Sequence, residues 1–180
     1  METQKTIRAA LLGCGTVGGG VYKLLNRRKE ELADKTGASL EISAVLVHNI
    51  NKRREGVDPS LLTDDFERIA GDPSIDIVIE VMGGIEPART MILRSLRAGK
   101  NVVTANKDLI AVHGTELLDA ARENGVDLLF EAAVAGGIPV IRPLKQCLAA
   151  NELSDVVGIV NGTTNYILTR MFEENMDFGE

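Results

Sequence analysis

With 180 residues, 44% of them hydrophobic and 26% charged, the chain has the make-up of an ordinary soluble globular protein, long enough for one good core or for one domain and the start of another. Its net charge of -6 argues against nucleic acid or an anionic membrane as partner, so any anionic ligand must be met by local cations and backbone dipoles. No apolar run nears membrane-spanning length and residues 1–5 carry no signal segment, while Cys14 and Cys147 have neither C-x-x-C spacing nor a histidine cluster nearby; a cytoplasmic protein with reduced, small, buried cysteines is expected.

The first predicted element is a short apolar strand over 7–12. Gly13, Gly15 and Gly18 follow it at the G-x-G-x-x-G spacing that turns a strand into a helix beneath a dinucleotide pyrophosphate. Gly13 permits the tight turn, Gly15 lets the backbone approach the phosphates, and Gly18 lets the helix pack on the strand, whose following helix offers free N–H groups to the anion. Val17, Val21, Leu24, Leu25 and Leu32 recur at helical spacing, so strand, glycine turn and amphipathic helix come in the required order. The alternative is a tight turn that binds nothing.

Residues 34–38 read as a loop and 40–47 as the second strand, which ends about thirty residues past Gly18 where about twenty is usual; a longer first helix accounts for the difference. That strand runs into His48 and then Lys52, Arg53 and Arg54 with no acid before Glu55. An acid at this point holds the ribose 2′-hydroxyl of NAD and a cation accommodates the 2′-phosphate of NADP, so NADP is preferred or accepted, unless the basic residues are only a solvated turn. A helix is predicted within 59–69, capped by Thr63 with Asp64 and Asp65 in its first turn. A third strand follows at 75–82, then the Gly83-Gly84 loop, a helix from Glu86 to a Gly99 stop, and a fourth strand over 101–104. Asn106 and Lys107 form a turn at its end, His113 a loop or cap, 115–123 a helix, and 126–131 a fifth strand. Strands alternating with helices mark a parallel α/β sheet of the doubly wound Rossmann type, with ligands at the strands' carboxyl ends.

At Glu131 the texture changes. Residues 132–139 are a run of small residues, suggesting exposed carbonyls or a close approach to a ligand. Beyond it, 143–150 read as a helix, 153–160 as a strand, and 161–165 as a loop capping a helix over 166–174. The predicted division is a dinucleotide-binding domain over 1–135 and, over 136–180, the truncated beginning of a second, α+β substrate and dimerisation domain.

Five segments in one order resemble a known family. They are Gly-Cys-Gly-Thr-Val-Gly at 13–18, Glu-Val-Met-Gly-Gly at 80–84, Val-Thr-Ala-Asn-Lys at 103–107, Phe-Glu-Ala-Ala-Val-Ala-Gly-Gly-Ile-Pro at 130–139, and Gly-Ile-Val-Asn-Gly-Thr-Thr-Asn-Tyr-Ile-Leu at 158–168. Together they look like the motifs of homoserine dehydrogenase, the last two being far more specific than the glycine fingerprint. The resemblance implies NAD(P)-linked interconversion of L-aspartate 4-semialdehyde and L-homoserine, on the way to threonine and methionine, by an enzyme that is dimeric at full length. It implies that Thr16 and Val17 line the pyrophosphate and Gly83 the nicotinamide side, and that Lys107 stands between cofactor and substrate. It further implies a monovalent cation, sodium or potassium, held by Glu131 and by the carbonyls of Val134, Gly136 and Ile138, and substrate contacts from Gly162 and Thr163. The family's acidic substrate ligands and its proton-donor lysine follow the last motif, in a segment these 180 residues do not contain, so the alternative reading is a cofactor-binding fragment without turnover. The His48-Asn49 pair departs from the family, in which an arginine is common.

The chemistry agrees with these roles. Reducing an aldehyde develops negative charge on the carbonyl oxygen, which calls for a nearby cation or acid and exclusion of water. Lys107 is the one lysine whose placement and resemblance coincide; Lys145 reads as a snorkelling surface residue. Four oxygens from one irregular segment around Glu131 suit a hard cation, against the plainer reading of a strand-end carboxylate in water. Asn161 and Thr163 serve equally as a helix cap.

Overall fold

The computed structural model describes residues 5–179, which divide into two compact units between Ile141 and Arg142. The first unit is built on a six-stranded parallel sheet. Its strands are β1 (Lys5–Leu12), β2 (Ala38–Leu46), β3 (Leu62–Thr63), β4 (Ile77–Glu80), β5 (Asn101–Thr104) and β6 (Leu128–Leu129), in the spatial order β3-β2-β1-β4-β5-β6. Parallel strands need covered faces, and helices supply the cover: α1 (Thr16–Arg27), α2 (Lys29–Thr36), α3 (Glu67–Ala70), α4 (Ala88–Arg97) and α5 (Lys107–Glu123). The central strand β1 ends in four wholly buried residues, Ala9 to Leu12. Ala10 and Leu12 join one core with Ile92, Leu96, Leu109 and Leu117, and Leu11 joins the other with Tyr22 and Val45. This is the doubly wound arrangement predicted from the alternation of elements.

Several local expectations are corrected. Residues 34–36 are not loop but the end of α2, which Gly37 stops in the left-handed conformation at φ 72°. Two helices meeting at Arg28, rather than one lengthened helix, fill the long interval before β2. On α1 the buried residues are Gly18 and Tyr22, whereas Val17 and Leu24 are 57% and 45% exposed, because the close approach of Gly18 to the turn decides which face meets the sheet. The helix predicted within 59–69 is instead a 3-10 turn (Pro59–Leu61), the edge strand β3 and the single turn α3. Here local side-chain bonds compete with helix: the Asp58 carboxylate accepts from Ser60 N at 2.9 Å, and Thr63 Oγ1 from Asp65 N at 3.1 Å. Pairing with β2 supplies the rest, since Val47 N donates to Thr63 O at 2.8 Å.

Farther along, α5 begins eight residues before the predicted Thr115, so His113 lies inside a helix and is neither loop nor cap; its Nδ1 is 3.4 Å from Glu116 Oε2. The fifth predicted strand shrinks to β6, and Glu131 falls in a 3-10 turn over Glu131–Ala133.

In the second unit, the helix expected over 143–150 is a short π-helical turn, Pro143–Cys147, and Cys147 at its end is exposed, not buried as expected, while Cys14 in the first unit is only partly buried. The strand expected over 153–160 does not form: these residues are exposed, carry no regular secondary structure and have no ladder partner among the described residues, and one unpaired strand has nothing to hold it. The final helix α6 spans Gly162–Glu173, so 162–165 are its first turn and not a loop, while Asn161 caps it as expected, its Oδ1 accepting from Thr164 N at 2.8 Å.

Candidate functional site

The strand order reverses direction between β1 and β4, and in open α/β sheets ligands bind outside the carboxyl ends of the strands at such a point. A cavity of about 600 Å³ lies there, walled by Gly13 and Gly15 after β1, His48 and Arg54 after β2, and Met82 and Gly83 after β4. The glycines make it possible. Gly13 turns at φ 95°, donates its N–H to Leu46 O at 3.0 Å, and has Met82 so close that a Cβ would meet backbone atoms at 3.1 Å. A Cβ on Gly18 would stand 2.1 Å from the carbonyl oxygen of Gly13, which no side chain tolerates, so only glycine lets α1 start against the turn. Gly15 has nothing within 4 Å of where its Cβ would point, leaving its backbone open to a ligand. From Thr16 the first turn of α1 carries no acidic residue, so its unpaired N–H groups and the positive end of its dipole are free of a competing carboxylate.

A second cleft, of about 360 Å³, lies along Gly15, Thr16, Gly19 and Lys23, with Cys14 and Arg54 in the walls of both cavities. Burial pushes the Cys14 thiol above its ordinary pKa, an effect that neighbouring Arg54 partly opposes, so the group stays a neutral, small wall residue. The three basic residues after β2 separate in role. Arg54 is half-buried and folds its Nη1 onto its own loop, donating to Asn49 O at 3.0 Å and Lys52 O at 2.7 Å, while its Nε is buried without a partner among the described residues. Lys52 is exposed at the cavity's edge, and Arg53 is exposed and lines neither space.

On the β4 side, the loop through Gly83 and Gly84, both left-handed at φ 77° and 73°, is tied to the start of α5. The wholly buried Glu80 accepts from Met82 N at 2.8 Å and Gly83 N at 3.2 Å through one oxygen, and from the Thr104 hydroxyl at 2.6 Å through the other. Asn106 donates from Nδ2 to Gly84 O at 2.6 Å and caps α5 by accepting from Leu109 N at 3.2 Å. Lys107, the first residue of α5, is therefore held at the sheet's carboxyl edge with its side chain exposed.

Two family models match the chain: the homoserine dehydrogenase NAD binding domain over residues 13–131, and homoserine dehydrogenase over residues 139–180. The first alone covers more than half of the sequence. The chain belongs to the homoserine dehydrogenase family. It is 46% identical over 177 residues to the homoserine dehydrogenase of Bacillus subtilis, covering 98% of this chain and 41% of that protein. Against the Corynebacterium glutamicum enzyme the identity is 51% over 171 residues, covering 95% and 38%. Among solved structures, a homoserine dehydrogenase from Thiobacillus denitrificans superposes with a TM-score of 0.85 at 44% identity, covering 97% of this chain and 41% of the other. The chain thus spans about two-fifths of the length of the curated relatives it matches.

Within this homoserine dehydrogenase family member, Gly13, Gly15 and Gly83 line the larger cavity and Thr16 the smaller cleft, whereas Val17, Gly18 and Lys107 line neither. The segment with Glu131, Val134, Gly136 and Ile138 is an irregular loop of the first unit. Glu131 Oε1 closes it by accepting from Val140 N at 2.6 Å and Ile141 N at 3.0 Å. Among the described residues, no hydrogen bond uses the carbonyls of Val134, Gly136 or Ile138, and no cluster of three His, Cys, Asp or Glu side chains could hold a metal. Gly162 and Thr163 open α6 in the second unit. Sequence reasoning missed the parts played by Glu80, Thr104 and the Asn106 side chain. One signal was present: a carboxylate inside the apolar run of a strand covered on both faces must have partners.

Proposed function

We propose that this chain is the cofactor-binding part of a homoserine dehydrogenase, reducing L-aspartate 4-semialdehyde to L-homoserine with NAD(P)H in the route to threonine and methionine. The observation that carries the reading is the glycine turn at the switch point, where Gly13 and Gly18 exclude any side chain and Gly15 leaves the floor open, in a chain that matches the family nearly end to end. Bound there, a nicotinamide cofactor would supply the hydride for the aldehyde carbon, and solvent the proton that completes the hydroxyl. Toward that chemistry the residues divide the work. Thr16 and Val17, opening α1, receive the pyrophosphate on backbone N–H groups. Gly83 walls the nicotinamide side, and Lys107 sets an ammonium where negative charge grows on the substrate oxygen. Lys52 and Arg54 supply positive charge for a 2′-phosphate, so NADP is the preferred cofactor.

Glu131 with the carbonyls of Val134, Gly136 and Ile138 is proposed to hold sodium or potassium; those carbonyls being otherwise unused supports it. Gly162 and Thr163 are proposed substrate contacts, the product is a small amino acid, and the complete enzyme works as a dimer in the cytoplasm, with a domain boundary near 135. A second reading is favoured by the relatives being more than twice as long: a piece that binds cofactor but does not turn over. Calorimetric titration with NADP and NAD, followed by an absorbance assay with aspartate semialdehyde and NADPH, separates the two. NADP binding with turnover supports the first, binding without turnover the second, and binding of neither dinucleotide overturns both. NAD binding as tightly as NADP would remove the role of Lys52 and Arg54.

A further inference from the structure

Six polar or charged side chains are buried among the described residues, and three of them, Glu80, Thr104 and Asn106, belong to one hydrogen-bonded ring. Its origin is a matter of register. Glu80 and Thr104 are partners at the last rung of the β4–β5 pair, so their side chains lie side by side on one face of the sheet. The Thr104 hydroxyl donates to Glu80 Oε2 and accepts from Asn106 N at 3.0 Å. The Asn106 amide reaches Gly84 O, and the chain returns through Gly83 N and Met82 N to Glu80 Oε1.

A buried carboxylate is a poor way to join two strands. Its desolvation is costly, and an apolar pair at the same rung holds a sheet at least as well. What the carboxylate does, and an apolar residue does not, is reach past the end of the strand. Both donors on its Oε1 belong to the loop that walls the cavity, and two successive glycines leave that loop conformationally free unless something fixes it. We propose that Glu80 is a positioning residue: through Thr104 and Asn106 it locks the Gly83-Gly84 loop to the start of α5, so that the nicotinamide end of the dinucleotide meets a preformed wall with Lys107 at its edge. The proposal rests on the cofactor reading above.

The test compares two ligands that differ only at the nicotinamide end: NADPH, and 2′-phospho-ADP-ribose, which lacks the nicotinamide. Both are titrated calorimetrically into the 180-residue chain, into Glu80→Gln, which turns one acceptor toward Thr104 into a donor, and into Thr104→Val, which removes the hydroxyl at nearly constant volume. The wild-type chain should bind NADPH more tightly than the shortened ligand. Both variants should lose tenfold or more in NADPH affinity while binding 2′-phospho-ADP-ribose within about twofold of wild type, and Thr104→Ser, which keeps the hydroxyl, should restore NADPH binding. Equal losses for both ligands, no loss for either, or unfolding of both variants by circular dichroism would overturn the positioning role, since each is what a purely structural ring gives. Wild type failing to bind either ligand would overturn the cofactor reading itself. Wild type binding both equally would leave that reading standing and overturn this one.

Discussion

The two units of this chain are written in similar residues and end in different states. In the first, β1 presents Ala9 to Leu12 to a sheet with helices on its faces, and Leu11, Leu12, Ile92 and Leu96 are wholly buried. In the second, Val156, Val157, Ile159, Val160, Tyr166, Leu168 and Phe172 are just as apolar, yet no described residue of the unit is buried. Apolar sequence is a demand for cover, and whether the demand is met depends on what other elements arrive. The first unit collects six strands and five helices from a span of about 140 residues, so its parallel ladder closes. The second offers one helix, a single π-helical turn and an irregular segment that pairs with no strand among the described residues.

The sharpest way to break the contrast is to truncate equivalent side chains. Ile92→Ala should cost about 2–5 kcal/mol of unfolding free energy by denaturant titration, with the transition moving accordingly, whereas Phe172→Ala should stay within about 0.5 kcal/mol. A comparable loss at Phe172 would mean that the second unit has a core after all.

A smaller effect separates two glycines that each open a helix region. Gly18→Ala should destabilise by about 1–3 kcal/mol and weaken dinucleotide binding, because the new Cβ meets Gly13 O, while Gly162→Ala, with nothing within 4 Å, should be neutral or slightly stabilising. Next come the two asparagine caps. Asn161→Ala should cost about 1 kcal/mol of local helix stability, read as lost helical signal or faster amide exchange in α6, and Asn106→Ala should cost more in global stability, since its amide also holds Gly84 O. Equal costs would show that the Gly84 contact contributes nothing.

The smallest effects are electrostatic. Arg94 holds Glu67, and Arg89 holds Glu116, below the ordinary glutamate range, in both cases through the direct hydrogen-bonded pair. With the folded value depressed, the contribution of each is present above the unfolded glutamate pKa and lost as pH falls through the lower folded one. Melting temperature should therefore be flat near neutrality and decline once the pH drops below about 4, and added salt should blunt the decline because the Arg94–Glu67 pair is exposed and the Arg89–Glu116 pair only partly buried. A melting curve independent of salt at low pH would remove these pairs from the account.

The site itself was unevenly legible. Gly13, Gly15 and Gly18 announced the turn because their spacing, weak by itself, came between an apolar strand and an amphipathic helix in the required order, and the Gly83 loop and Lys107 were expected at the ligand edge because both follow strands of the same parallel sheet. Glu80 and Thr104 were silent as partners. Twenty-four residues part them in the chain, and only the parallel register of β4 and β5 sets one beside the other. The basic residues after β2 read alike in sequence, and a fold was needed to turn Arg54 inward onto its own loop while Lys52 stayed at the rim.

From sequence alone came the alternation of strands and helices, the glycine turn and the family motifs, since these rest on periodicity and on steric needs carried within a dozen residues. Tertiary structure decided the edge strand where a helix was expected at 59–69, the early start of α5, the unformed strand at 153–160, and the buried ring around Glu80. At 59–69 the local bonds of Asp58 and Thr63 act together with pairing to β2, and at α5 the Asn106 cap acts together with its bond to Gly84. For the strand at 153–160 and the ring around Glu80 the outcome was set by which distant backbone or side chain arrived, and local pattern holds no record of that.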